Sequence, residues 1–247
     1  MIYFVEGKDN EINAALNDLR AALPLSTESV SLNQKGIGNS NDFFVTEISD
    51  VKDCIQSGIA ANRIIGIGYS SSSYLDNPIT DGLHRHYTTS QKYHPDAIEL
   101  QFGYSSSNTV KQIQTPKTIG IYSDCTPPHL SDLESYEYLH NPQDGDCKYD
   151  ILVYASEDDR YSRSVRHAIA SGIPIIGYTS IPLIAELVEK ELAFELDKND
   201  DFENAITNTI SYIGCNAPWQ LMNSVNLFKY ANDFLNWDRW IYELERV

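Results

Sequence analysis

Between residues 157 and 166 the chain crowds together Glu157, Asp158, Asp159, Arg160, Arg163 and Arg166, with Tyr161 and Ser162 among them. A guanidinium presents a rigid fork of donors that matches phosphate oxygens two at a time, so Arg160, Arg163 and Arg166 are candidate phosphate ligands. The competing reading is that these arginines pair with the neighbouring acids on a solvated surface, which contributes little. Asp159 has a similar alternative, as an acid favoured near a helix start. Other residues that could do chemistry are His167, Glu186, and the pair His84 and His86, which follow a serine-rich stretch. His167 falls on an apolar helical face, where a histidine is more often part of the core than a ligand. The four cysteines, Cys54, Cys125, Cys147 and Cys215, are scattered without CxxC spacing. Zinc and dithiol chemistry are therefore not expected, and the thiols read as reduced.

These residues need elements to position them. Residues 151–155 (ILVYA) form an apolar run without alternation, as in a strand buried on both faces. The charged turn follows, and then Val165, Ala168 and Ile169 mark one face of a helix. Gly172 stands where a helix C-terminus favours positive φ. Residues 173–176 are a second apolar run, and Ser180 with Pro182 opens another helix. Strand, helix, strand, helix predicts a βαβ unit and a parallel sheet. In such sheets ligands lie beyond the carboxyl ends of the strands, which singles out residues 157–164 and 177–180.

The rest of the chain follows the same alternation. Strands are expected at 2–5, 30–32, 42–48, 63–68, 86–89, 97–102, 117–122 and 192–196. Helices are expected at 10–23, 50–59, 130–140, 200–213, 218–234 and 237–247. Residues 33–41 and 141–148 read as loops. The stretch 69–83 (YSSSSYLDNPITDGL) is too long for an ordinary connection, and is a candidate for the substrate side or a plain surface loop. Residues 105–114, ending in Thr115-Pro116, have the composition of a linker. The expected organisation is α/β, with two Rossmann-like domains at 1–115 and 116–232 facing a cleft, both small, and a C-terminal helix at 233–247 packing back on the first. Trp219, Trp237 and Trp240 are expected to pack the terminal helices.

Composition narrows the partners. The net charge of −17 disfavours nucleic acid, whose binding relies on clustered Lys and Arg. No apolar run approaches the length of a membrane span, and the first residues do not read as a signal peptide, so a cytoplasmic location is expected.

The later half resembles the donor-side domain of GT-B fold glycosyltransferases, in particular family 4 (glycosyl transferases group 1). The likeness lies in Ala155-Ser156, Asp159 and Tyr161, then AIASGIPII at 168–176, IPLIAELV at 181–188, and Phe234-Leu235-Asn236-Trp237-Asp238-Arg239. HYTTSQ at 86–91 and AIELQFGY at 97–104 are similar, more loosely, to the end of the family's first domain, with Gly103 at its turn. The resemblance implies a retaining transfer of sugar from a nucleotide-activated donor to an acceptor, with no metal and no cofactor. It implies Asp159 near the donor sugar, with Arg160, Tyr161, Ser162, Arg163, His167 and Glu186 around the donor. His86 falls where the family can place a histidine near the reacting carbon. The chain departs from the pattern in three ways. His167 stands in place of the family's second Glu, Arg160 and Ser162 replace glycines, and the segment between Tyr122 and Tyr149 is short.

Two functions are therefore carried forward. One is a glycosyltransferase that takes a nucleotide sugar and an acceptor whose identity the residues do not give. The other is a non-catalytic binding protein of the same fold, or a subunit of a transferase complex. A homo- or hetero-oligomer is compatible with both.

Overall fold

The computed structural model describes residues 1–32, 34, 37–104, 116–123, 136–141, 148–159, 162–197 and 202–247. It is an α/β protein with two all-parallel sheets, each Rossmann-like, and C-terminal helices. Contacts divide the chain into two units, Met1–Gly103 with Asn236–Val247, and Tyr104–Leu235. The expected linker at 105–114 lies outside the described residues.

In the first unit β1 (Ile2–Glu6), β2 (Thr27–Ser31), β3 (Phe43–Glu47), β4 (Ile64–Gly68), β5 (Arg85–Thr88) and β6 (Ile98–Glu99) form a sheet ordered β2-β1-β3-β4-β5-β6. Neighbouring residues point to opposite faces, and both faces are covered. Phe4, Val45, Ile65, Ile67 and Tyr87 pack under α1 (Asn10–Ala22) through Ile12, Leu16 and Leu19, and against Trp240 and Leu244 of α7 (Asp238–Leu244). Val5, Phe44 and Ile64 pack against Val51 and Cys54 of α2 (Val51–Gln56). The Asp9 carboxylate caps α1 by accepting from the amides of Glu11 and Ile12 at 2.9 and 3.2 Å. Burial lifts the Cys54 thiol to about 11, so it stays protonated.

The second unit is ordered β11-β10-β9-β7-β8. Its strands are β7 (Thr118–Ser123), β8 (Glu137–His140), β9 (Ile151–Ala155), β10 (Ile175–Gly177) and β11 (Phe194–Glu195). Leu152, Tyr154 and Ile175 pack against α3 (Ser162–Ser171), α4 (Pro182–Glu189) and α6 (Ala217–Phe234). Ile119, Ile121, Ile151, Val153 and Ile176 face Ile206, Ile210 and Ile213 of α5 (Phe202–Cys215). Gly172 ends α3 at φ 68°, where a Cβ would be strained and would press on the Ser224 carbonyl of α6. Ser224 Oγ donates to the Gly172 carbonyl at 2.6 Å, so the α3 C-terminus is fastened to α6.

One expected element is corrected. Within the helix expected at 130–140, residues 137–140 are instead strand β8, parallel to β7 in the register Thr118↔Glu137 to Ile121↔His140. The backbone hydrogen bonds come from β7, a non-local partner, while residues 130–135 lie outside the description. The helix expected at 50–59 is shorter, Val51–Gln56, because Gly58 at φ 99° turns the chain out of it. The strand expected at 97–102 is ordered as a strand only over Ile98–Glu99. No helix among the described residues is long and apolar enough to cross a membrane.

Candidate functional site

Each sheet reverses its strand order once, and such switch points open a crevice at the carboxyl edge. In the second unit β7 leads to β8 on one side, while β9 lies on the other, so the switch falls between β7 and β9. Ser123 and Ala155, partners in that pairing, end the two strands there. Ser123 Oγ lies 3.1 Å from His140 Nε2 at the end of β8, and its amide donates to Asn141 Oδ1 at 3.1 Å.

The turn after β9 is tied by its own hydrogen bonds. Ser156 Oγ and the Tyr154 hydroxyl both donate to the Asp158 carbonyl, at 2.9 and 2.7 Å, and the Asp158 amide donates back to Ser156 Oγ at 3.0 Å. This turn holds Asp159, which is buried, directly ahead of α3. Ser162 opens that helix, and its hydroxyl accepts from Arg166 Nη1 at 3.1 Å with both residues buried. Arg163 is half-buried on the same turn of helix. Asp159, Ser162 and Arg163 are thus brought to one strand end. Arg160 and Tyr161 lie outside the described residues.

The remaining candidates fall elsewhere. His167 is buried on α3, with its ring 3.9 Å from that of Tyr104 between centroids and its Nδ1 sharing a 3.0 Å hydrogen bond with the Tyr104 hydroxyl. Glu186 sits in the body of α4, where Lys190 approaches at 3.7 Å and the Tyr230 phenol donates to it. Burial first, and then the Glu186 charge, push that phenol upward.

His86 belongs to the first unit. It is half-buried on β5, its Nε2 shares a 3.0 Å hydrogen bond with the Tyr74 hydroxyl, and its ring lies 4.6 Å from that of His94. Burial, with the charge of His94 second, pushes it down to about 4, so it is neutral in neutral solution. His84 stands apart from this trio, with its ring against Phe43 at 4.4 Å.

The switch point of the first unit, between β1 and β3, carries groups that sequence reasoning missed. Glu47 ends β3 and is buried, and Ser73 Oγ donates to its Oε1 at 2.8 Å. Burial lifts the Glu47 carboxyl to about 7. Asp50, also buried and also raised by burial, packs so closely on Gly7 after β1 that a Cβ there would overlap its carboxylate. Beside them opens a cleft of about 570 Å³, lined by Ser49, Lys52, Ser72, Ser73, Asp76 and Asn77 among others. Most of its wall comes from the serine-rich stretch 69–83. The one sequence signal for Glu47 was an acid inside the run FFVTEIS.

Fold and strand-end geometry define an α/β protein of two Rossmann-like units, each with a polar switch point. Comparison with models of known protein families gives no match, and comparison with curated proteins gives none either.

Proposed function

We propose that the chain is a glycosyltransferase of the GT-B type that takes a nucleotide-activated sugar at the β9–α3 turn of its second unit. The observation that carries the reading is the arrival of buried Asp159, Ser162 and half-buried Arg163 at the carboxyl edge beside the β7/β9 switch point. This is where a parallel sheet receives a ligand, and the start of α3 supplies amides suited to phosphate. In the reaction the bond from the anomeric carbon to the donor phosphate breaks. A bond to an acceptor oxygen forms, and the acceptor proton leaves with the diphosphate. Arg163 and the helix start offset the charge growing on the diphosphate, while the Asp159 carboxylate faces the oxocarbenium-like sugar. Such preorganised charge is the main protein contribution to this chemistry.

The expected result of a thermal-shift screen of nucleotide diphosphates and their sugars is saturable stabilisation by one donor, since a ligand of the native state raises Tm by mass action. Asp159→Ala and Arg163→Ala should then each remove transfer or hydrolysis of that donor by about a hundredfold or more, with unchanged circular dichroism. Full activity in both variants would overturn the site. One observation favours the second reading, a non-catalytic binding protein or transferase subunit. His167, which stands where the resemblance places the family's second Glu, is buried against Tyr104. Silence across all donors would select that reading.

A further inference from the structure

The first half of α6 turns polar residues inward and apolar residues outward. Gln220, Asn223 and Ser224 are buried on its inner side, while Leu221, Met222 and Val225 are 59%, 67% and 52% exposed. With Pro218, also exposed, the outward residues stand at i, i+3, i+4 and i+7, the spacing of one continuous helical stripe. The stripe is not an overflow of the core, because the buried side of the same turns is polar. α5 extends it. Tyr212 near the end of α5 is 48% exposed, and its ring lies 6.1 Å from that of Trp219 between centroids. Trp219 and Met222 are one helical turn apart, so apolar surface runs from α5 onto α6. Aromatic and methionine side chains with few charges are the composition of an interface core.

Charge selects the occupant. The chain carries a net charge of −17 with 21% charged residues, yet from Asn204 to Phe228 it has no Asp, Glu, Lys or Arg, its longest run without one. Two copies that meet through their acidic surfaces set like charges against each other, which costs several kcal/mol in a contact. Through this stretch they bring none together. A basic partner finds nothing here to pair with, and is drawn to the acids elsewhere on the chain.

The area agrees with that occupant. Tyr212, Leu221, Met222 and Val225 together expose roughly 400 Å², at about 100 Å² each. An ordinary stable interface takes about 800 Å² from each partner, of which about 450 Å² is apolar. Exposed, uncharged Asn208, Ser211 and Asn226 supply the polar rim that such a contact needs.

We propose that this face is the interface of a homodimer, in which the outward stripe of α6 and Tyr212 of α5 pack on the same residues of a second copy. The pairing is isologous, so each of these residues is buried twice in the dimer. The face belongs to the second unit alone, and the proposal does not depend on the donor reading.

The test is analytical ultracentrifugation of the whole chain over a range of micromolar concentrations, at low and high sodium chloride. A reversible monomer–dimer equilibrium is expected, with the dimer strengthened by salt. Salt screens the repulsion between two chains of −17, while the interface has no ion pair to lose. Met222→Glu and Val225→Glu alter exposed side chains, so both should fold, which circular dichroism checks. Each is expected to weaken the dimer by about a hundredfold or more, since every dimer then buries two added charges. Leu75→Glu, at an exposed apolar residue of the first unit, should leave the equilibrium unchanged. A chain that stays monomeric throughout, at high salt as well as low, would overturn the proposal and assign the face to another protein. A dimer indifferent to both α6 substitutions, or one dissociated by salt, would overturn it equally.

Discussion

Trp240→Ala is expected to destabilise the first unit by about 3–5 kcal/mol, the range for removing a large buried aromatic. Trp240 is wholly buried, and it meets the rings of Tyr87 and Phe102 at 5.1 and 5.2 Å between centroids. Its Nε1 donates to the Gln101 carbonyl at 2.9 Å, so truncation leaves both a cavity and an unmatched acceptor. Besides Leu244, which also packs in the core, α7 is attached by Glu243, which accepts from the Tyr87 hydroxyl at 3.0 Å and meets Arg85 at 3.3 Å. The Glu243 contacts are partly exposed and contribute far less than the indole. Against a typical net stability of roughly 5–15 kcal/mol, the loss is large. Urea unfolding should show a lower midpoint, and amide exchange should rise in β5, on which the indole rests. Trp240→Phe, which keeps a ring, should lie between the two. An unchanged midpoint in Trp240→Ala would mean that α7 does not hold the first unit together.

Glu47→Gln is expected to stabilise the protein at alkaline pH and to change the shape of its pH profile. The folded carboxyl titrates at about 7 against an ordinary 4.5, because burial penalises the charged form. Between those values the unfolded chain has released the proton while the folded chain retains it, so stability falls as pH rises from 4.5 to 7. Above 7 the penalty is complete, on the order of 3 kcal/mol. His86 works in the opposite direction. Its folded value of about 4 lies below the ordinary 6.5, so stability falls as pH drops from 6.5 toward 4. In wild type the two trends oppose each other across the mildly acidic range. Melts from pH 4.5 to 8 should find Glu47→Gln equal to wild type near the acid end once its amide has replaced the protonated carboxyl. It should be more stable at pH 8, with the acid-side loss due to His86 now visible. Asp50 is raised by the same cause and retains part of the alkaline fall in the variant. Parallel profiles for the two proteins would refute a buried, proton-holding Glu47.

The parallel architecture could be read from the chain because buried strands in such sheets announce themselves locally. IYFV, RIIGIG and ILVYA are apolar runs with no polar alternation, and the first and last are each followed by a turn and an amphipathic stretch. β8 escaped because EYLH has no such run. It is an edge strand with mostly exposed side chains, and its state is decided by β7, reached across a long connection. The same division holds for the sites. Asp159, Ser162 and Arg163 are neighbours in sequence, so one turn keeps them together. Glu47 and Ser73 are 26 positions apart and meet only because β3 and β4 pair. His167 was legible as a core residue from its apolar flanks, Val165 and Ile169, and its partner Tyr104 was not.

The division of the chain has a consequence for its synthesis. The second unit is one continuous segment, Tyr104–Leu235, so a nascent chain holds all of its strands before Trp240 is translated. The first unit begins earlier and finishes later. Its sheet leaves the ribosome with the apolar face under Tyr87 and Phe102 still waiting for α7. The earlier-made part of this unit therefore depends on a helix made after the whole of the second unit, and throughout that interval Tyr87 and Phe102 lack the cover of Trp240.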